Sequence, residues 1–296
     1  MPAKGAGSLG RKVTASALRA WPLPDPSGSG SKEDRGRVLV VGGTREIPGA
    51  ALLAGIAALR AGAGKLQVAT VAEVAVPMAI ALPEARVIGL RSGARGGLAA
   101  LDRATLDCVA RAHAVVLGPG MDDDAGTRRV VRQIIGVATG TVVLDAGALH
   151  RSALDAARAR NGQIELVLTP HLGEMASLLE IDADAIAADL AGTASRFASR
   201  WGVVLALKGP VTHIAAADGS LWVNTAGSVG LGTSGSGDVL AGLIGGLAAR
   251  GARAAQAAVW GVHLHAQAGA RLTKRNGLVG FLAREISAEV PGLMQG

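Results

Sequence analysis

The stretch "GLGTSGSGDVLAGLIGGL", residues 230–247, places a glycine-rich turn and one acid, Asp238, directly before a long apolar run. Gly230, Gly232 and Gly235 match the spacing G-x-G-x-x-G of dinucleotide-binding turns. That fingerprint also requires a strand just before the first glycine, a place in the first βαβ unit, and an acid about 20 residues later. Here the stretch follows a predicted hairpin late in the chain, and "RGARAAQ" stands where the acid should be. We therefore reject the dinucleotide fingerprint.

The alternative is an anion hole at the start of a helix. The backbone N–H groups of Ser234, Gly235, Ser236 and Gly237, with the first helical turn, would hold a phosphoryl group, since helix N-termini carry unpaired donors and partial positive charge. Asp238 would then lie beside the transferring group and could take a proton from an attacking hydroxyl. Asp is also favoured as a helix cap. The pattern alone leaves both interpretations of Asp238 open.

Outward from this stretch, the chain predicts a layered α/β fold. Short apolar runs that end in Gly or Pro alternate with segments of helical period, which is typical of a mostly parallel sheet covered by helices on both faces. The predicted strands are residues 37–43, 65–71, 114–120, 141–147, 165–171, 203–209, 212–217 and 220–224. Asp218 and Gly219 form the turn of a hairpin between the last two.

Ligands of open α/β sheets bind at the carboxyl ends of the strands. The chain's distinctive residues follow the predicted strands there: Gly42, Gly43, Gly118, Pro119, Gly120, Asp145, His171 and Lys208. We therefore expect the site at this edge. Read singly, Lys208 could be a solvated charge, His171 could open a helix, and Asp145 and Glu174 could be caps. His263 and His265 read as packing or surface residues.

Length and composition bound the organisation of the chain. With 296 residues, 49% of them hydrophobic, and no internal linker, the chain predicts one domain over residues 35–296. Residues 1–34 are rich in Pro, Gly, Ser and charge, and predict a flexible arm that adds little to the core. The arm region also supplies much of the net charge of +7.

The composition excludes several other classes of protein. Only 2% of the residues are aromatic, so the base-stacking platforms of nucleic-acid binders are not expected. Frequent charges interrupt every apolar run, so we expect no membrane span. Cys108 is the only cysteine, which rules out a disulfide framework and a multi-cysteine metal site. We expect a cytoplasmic protein.

Seven stretches, in order, resemble one family. They are "KEDRGRVLVVGG", "PGAALLAGIAALRAGAGKLQVAT", "VVLGPGM", "VVLDAGAL", "LTPHLGEMASLL", "LKGPVTHIA" and "WVNTAGSVGLGTSGSGDVLAGLIGGL". Together they resemble the ADP-dependent NAD(P)H-hydrate dehydratases of the ribokinase-like superfamily. The resemblance implies a three-layer α/β sandwich without a lid domain, and a homotetramer. It also implies a form without the epimerase domain that is fused to many bacterial members, and hence a functional link to a separate epimerase.

The resemblance implies repair of reduced nicotinamide cofactors. Family members phosphorylate the ring hydroxyl of the S epimer of NADH or NADPH hydrate with ADP, assisted by Mg²⁺, release AMP, and eliminate phosphate to restore NADH or NADPH. The alternative within the same superfamily is a kinase of a small vitamin precursor. A non-enzymatic adenylate-binding protein is a third, more distant possibility.

The resemblance also assigns site residues by position. Asp238 would be the base, beside the anion hole of Ser234, Gly235, Ser236 and Gly237. The nucleotide would contact Lys208, Gly209, Pro210, Val211, Thr212 and Gly237. The hydrate would face Ala50, Ala51, Gly118, Gly120, His171 and Asp238, and no metal ligand is assigned. Leu172 and the pair Ser228–Val229 depart from the common family pattern, which puts substrate affinity in doubt more than activity.

Overall fold

The computed structural model describes residues 10–28, 30–160 and 162–294. Within them, ten strands form one sheet in the order β1-β10-β9-β8-β7-β6-β5-β2-β3-β4. The strands are β1 (Arg11–Lys12), β2 (Arg37–Val41), β3 (Lys65–Val71), β4 (Ala85–Leu90), β5 (Ala114–Leu117), β6 (Thr141–Leu144), β7 (Glu165–Leu168), β8 (Val204–Leu207), β9 (Thr212–Ala215) and β10 (Leu221–Asn224). β9 runs antiparallel to both of its neighbours, and the other pairs are parallel.

Helices cover both faces of the sheet. They are α1 (Ala15–Arg19), α2 (Pro48–Arg60), α3 (Ala72–Ala81), α4 (Arg103–Arg111), α5 (Ala125–Val137), α6 (Arg151–Arg158), α7 (Leu172–Leu179), α8 (Ala183–Ala187), α9 (Leu190–Trp201), α10 (Ser236–Ala249), α11 (Ala254–Asn276) and α12 (Ala283–Leu293). One apolar core lies under α2, α10, α11 and α12, and a second lies under α4 to α9. The predicted three-layer sandwich is confirmed, and the described residues form no separate lid.

Glycines let α2 and α10 pack backbone against backbone. A Cβ at Gly242 would overlap the carbonyl group of Ala54, and one at Gly246 would overlap that of Ala58. Such close approach explains a core built from Ala and Gly with few aromatic residues. It fixes the starts of the two helices relative to each other.

The N-terminal arm differs from the expectation of a loose segment. Residues 10–24 pack against the rest of the domain: β1 adds to β10, and Val13 and Leu18 are buried in the core. The ring of Trp21 stacks on Trp222 at a centroid distance of 5.6 Å. For residues 10–24 the prediction of a flexible arm that adds little to the core was therefore wrong, whereas residues 1–9 lie outside the described part. The local composition is that of a linker, but the large apolar side chains of Leu18 and Trp21 anchor the segment.

A cavity of about 1070 Å³ lies between this arm and the amino ends of β7 and β8. None of the predicted site residues lines it, because they lie at the opposite edge of the sheet. Within the described ranges, no helix is both long enough and apolar enough to cross a bilayer.

Candidate active site

The glycine loops after β2 and β5 bring four predicted residues together. Gly118 and Gly120 have φ values of +116° and +65°, which favour glycine. A Cβ at Gly120 would lie 2.8 Å from the Cβ of Ala50, and one at Gly43 would lie 3.5 Å from the Cβ of Ala51. These four small residues lie at the carboxyl edge of the sheet, where Ala50, Ala51 and Gly118 are buried and Gly120 is partly exposed.

The anion-hole turn has the predicted shape with one exception. Gly235 has φ +86° and α10 begins at Ser236. The Ser236 N–H donates to the carbonyl oxygen of Thr233 at 3.2 Å and is therefore not free for an anion. Among the described residues, no acceptor takes the N–H groups of Ser234, Gly235, Gly237 or Asp238. The free donors are thus three of the four predicted amides and the amide of Asp238.

Asp238 is the third residue of α10, and Gly235 is the N-cap. No described residue donates a hydrogen bond to the Asp238 carboxylate, so the capping interpretation has no support in the contacts. Burial raises the pKa of Asp238 to about 7; the nearby carboxylates of Asp145 and Glu174 add to the rise, while Lys208 opposes it. A carboxylate whose pKa lies near neutrality suits a proton acceptor.

Lys208 is the centre of a buried ionic cluster. Its Nζ lies 3.0 Å from Oδ1 of Asp145 and 3.7 Å from Oε2 of Glu174. Burial by itself lowers the pKa of Lys208, but the carboxylates of Asp145 and Glu174 more than offset this effect, so the pKa is raised. Lys208 is therefore a buried, oriented cation instead of a solvated charge.

The cluster reaches the anion-hole turn and the neighbouring strand. Thr169 Oγ1 donates to Oδ1 of Asp145 at 2.7 Å. A Cβ placed on Gly237 would lie 3.4 Å from Nζ of Lys208. Asp145 makes no capping hydrogen bond to its own turn, so its carboxylate serves the cluster. The free amides of the turn, the ammonium group of Lys208 and the carboxyl group of Asp238, whose pKa lies near neutrality, therefore lie close together.

His171 opens α7 through a capping box. Its Nδ1 accepts from the N–H groups of Gly173 (3.0 Å) and Glu174 (3.2 Å), and the Glu174 carboxylate accepts from the His171 N–H at 2.7 Å. The helix-opening interpretation of His171 is therefore correct. Its side chain remains 59% exposed at the same edge of the sheet, and its Nε2 lies 3.5 Å from Oε1 of Glu174.

The remaining nucleotide-segment residues connect β8 to β9. Gly209 and Pro210 are exposed, and Val211 and Thr212 are partly buried. Thr212 Oγ1 lies 3.4 Å from the carbonyl oxygen of Gly209 and donates to it. The segment therefore forms a compact turn directly after Lys208.

His265 was missed by the sequence analysis, which expected a packing or surface residue. Its Nε2 lies 2.9 Å from Oγ and 3.0 Å from the carbonyl oxygen of Ser236, so it contacts the anion-hole turn. The two residues stand 29 positions apart on different helices, and no local pattern signals such a contact. His263 is buried on the same helix and has no partner at Nδ1 within the described chain.

This combination of fold and site defines a class of protein. A mostly parallel sheet between two helical layers, with a glycine-containing turn of free amides and an acid at the start of a late helix, is ribokinase-like. A solved ribokinase-like superfamily protein of Enterococcus faecalis V583 superimposes with a TM-score of 0.81 at 25% identity, over 97% of this chain and 96% of that one.

Three further comparisons identify the family within this class. The family model described as NAD(P)H-hydrate dehydratase matches residues 38–292. A relative from Xanthomonas campestris pv. campestris, named ADP-dependent (S)-NAD(P)H-hydrate dehydratase, is 53% identical over 96% of each chain. The Bacillus subtilis ADP/ATP-dependent NAD(P)H-hydrate dehydratase, co-crystallised with ATP/Mg²⁺, superimposes with a TM-score of 0.82 at 28% identity, over 97% and 99% of the two chains. The chain belongs to the NAD(P)H-hydrate dehydratase family.

Proposed function

We propose that this protein is an ADP-dependent dehydratase of the S epimer of NADH or NADPH hydrate. The observation that carries the proposal is the convergence of Asp238, Lys208 and the free amides of the α10 turn. These groups supply what phosphoryl transfer to a hydroxyl requires: a proton acceptor, a cation and oriented donors for the moving charge.

In the first step, the Asp238 carboxylate takes the proton of the ring hydroxyl while that oxygen attacks the terminal phosphorus of ADP. The bond between this phosphorus and the bridging oxygen breaks, and AMP leaves. The free N–H groups of Ser234, Gly235, Gly237 and Asp238 hold the charge on the transferring group. Lys208, held in place by Asp145, faces the nucleotide phosphates.

In the second step, the lone pair of the ring nitrogen expels the new phosphate as its C–O bond breaks. Loss of a proton from the adjacent ring carbon then restores the double bond of NADH or NADPH. Phosphate is a far better leaving group than hydroxide, which is why the reaction consumes a phosphoryl donor. The small residues Ala50, Ala51, Gly118 and Gly120 leave room for the hydrate, and His171 lies at its edge.

We propose that Mg²⁺ enters with the nucleotide. Among the described residues no group of three or more His, Cys, Asp or Glu could hold a metal ion. Mg²⁺ commonly binds through substrate phosphates, waters and one or two carboxylates, so the site fits it. Asp145 and Glu174 would be the carboxylates available to the ion, and the ion would neutralise phosphate charge during transfer.

The proposed reaction uses only one of the two epimers of the hydrate. Because only the S epimer is consumed, we propose that the protein is functionally linked to an epimerase activity that converts the R epimer. We propose that the protein is cytoplasmic, because reduced nicotinamide cofactors form there. We also propose that it is a homotetramer.

We expect ADP to be a much better phosphoryl donor than ATP.

The test is turnover by the wild type and by Asp238→Asn. Purified S-hydrate of NADH with ADP and Mg²⁺ should regain the absorbance of NADH, with AMP and phosphate formed in equal amounts. Asn removes the proton acceptor at nearly constant shape, so turnover should fall by a factor on the order of 10² to 10⁴. ADP should still raise the melting temperature of the variant, because Lys208 and the amides remain.

Two outcomes would contradict the proposal. A stable phosphorylated product without recovered NADH would identify a kinase. Near-normal turnover by a folded, ADP-binding Asp238→Asn variant would remove Asp238 from the mechanism.

A further inference from the structure

His265 contacts the same peptide group that supplies an anion-hole donor. Its Nε2 lies 3.0 Å from the carbonyl oxygen of Ser236, and the nitrogen of that peptide unit belongs to Gly237. In a trans peptide, the C=O and the N–H point in opposite directions. Ser236 is the first residue of α10, so its carbonyl group already points along the helix. A second donor to this carbonyl group further restrains the direction of the Gly237 N–H, and Gly237 lies beside Lys208.

The contact also determines which tautomer His265 adopts. A carbonyl oxygen only accepts, so Nε2 must carry the hydrogen and donate it. Burial lowers the pKa of His265 to about 4, and the positive charge of Lys208 acts in the same direction. His265 is thus a neutral donor throughout the range in which Asp238 ionises. The Ser236 hydroxyl, 2.9 Å away, accepts from the same N–H.

A hydrogen bond to a peptide carbonyl also strengthens the N–H of the same peptide, because hydrogen-bonded groups polarise one another. The effect on the Gly237 amide is therefore both geometric and electronic. His263 offers no such contact, although it is a buried histidine only two residues away on α11.

We propose that His265 is a positioning residue that orients and polarises the Gly237 amide of the anion hole through the carbonyl group of Ser236. Its importance for turnover rests on the proposed function, whereas its effect on the amide does not. The two parts are tested separately.

The spectroscopic test uses protein with ¹³C-carbonyl serine and ¹⁵N glycine. Only Ser–Gly peptides then give correlations, and the sequence has five, with their glycines at 28, 30, 93, 235 and 237. In His265→Leu, the Ser236 carbonyl and Gly237 amide resonances should move upfield, and the Gly237 shift on adding inorganic phosphate should shrink. His265→Gln keeps an N–H at similar reach and should restore both. The signals of Gly28 and Gly93 serve as internal controls.

The kinetic test compares His265→Leu with the matched control His263→Leu. We expect kcat for hydrate turnover to fall about tenfold in His265→Leu, with KM for ADP changing less than twofold, and to recover most of its value in His265→Gln. Equal losses in the two leucine variants, or an unchanged Gly237 resonance in a folded His265→Leu variant, would overturn the assignment. Absence of turnover in the wild type would contradict the proposed function alone, since the phosphate titration still tests the orientation of the amide.

Discussion

The ionised carboxylate of Asp238 destabilises the folded protein. Its pKa rises from 3.8 to about 7 because burial and neighbouring carboxylates disfavour the ionised form. Between these two values the folded chain binds the proton more tightly than the unfolded chain. The free energy of unfolding therefore falls as the pH rises through this window, by at most about 4 kcal/mol.

Replacement of Asp238 by a neutral residue should remove this destabilisation. Asp238→Asn should melt at a higher temperature than the wild type at pH 8, where the wild-type carboxylate is ionised. The difference should shrink towards pH 5, where the wild-type group is protonated and neutral. Thermal unfolding at several pH values measures it. A difference that does not vary with pH would show that the carboxylate is not destabilised in the folded state.

Other site residues differ in how far the sequence reveals them. Lys208 and Asp238 stand in motifs, so their place at the carboxyl edge was predictable. Their ionic environment was not, because Asp145 follows β6 and Glu174 lies in the first turn of α7, 29 residues later in the chain. His265 carries no local signal at all, since its contact joins two helices.

At the scale of elements, the stacked rings of Trp21 and Trp222 help to hold the N-terminal arm, together with β1 and the buried Val13 and Leu18. The carbonyl oxygen of Trp21 also accepts from Nε1 of Trp260 at 2.9 Å and from Nε2 of Gln256. The folded unit that we propose therefore begins near residue 10 and not at residue 35. The pair lies at the edge of the sheet opposite the active site.

Trp21→Ala should lower the free energy of unfolding by about 2 to 3 kcal/mol, through lost burial and lost stacking. Trp222→Ala should have a similar effect, and the double variant should lose about 1 kcal/mol less than the sum of the two. Urea titration measures all three, and turnover should stay within twofold of the wild type. Strict additivity of the two substitutions would mean that the stacking contributes nothing.

Strands were predictable where burial is continuous. The runs at β2 and β5 to β8 are almost entirely apolar after their first residue, and most of β3 is buried, because both faces of the sheet are covered. β4 was missed, since it is an edge strand whose Arg86 and Gly89 are exposed and interrupt the apolar run. β1 was missed because two exposed basic residues, Arg11 and Lys12, have no strand-like pattern. Only the tertiary contact with β10 makes them a strand.

At the scale of the whole molecule, α3 carries an unusual apolar surface. Val76 is 69% exposed and Ile80 is 77% exposed, and their spacing of four places them on one face of the helix. This face borders the edge strand β4. Exposed apolar faces next to an open sheet edge are common sites of association, so we expect α3 to contribute to the proposed homotetramer.

The double variant Val76→Asp/Ile80→Asp should have a lower molar mass than the wild type in light scattering. Two charges placed on this face would have to be desolvated at the interface, which weakens the contact. Ile181→Asp, at another exposed apolar residue, is the control and should keep the wild-type mass. An unchanged mass of the α3 variant would exclude this face from the assembly.

The backbone contact between α2 and α10 limits how this site can be remodelled. Ala50 and Ala51 lie at the start of α2, Asp238 lies at the start of α10, and nothing larger than glycine separates the two helices at Gly242 and Gly246. An engineer seeking room for a bulkier acceptor would find no side chain here to shorten. Substitutions that enlarge residues at this contact would spread the helices apart and carry the base away from the acceptor. New specificity is therefore more accessible through the length and shape of the loops around the site than through exchanges within this helix pair.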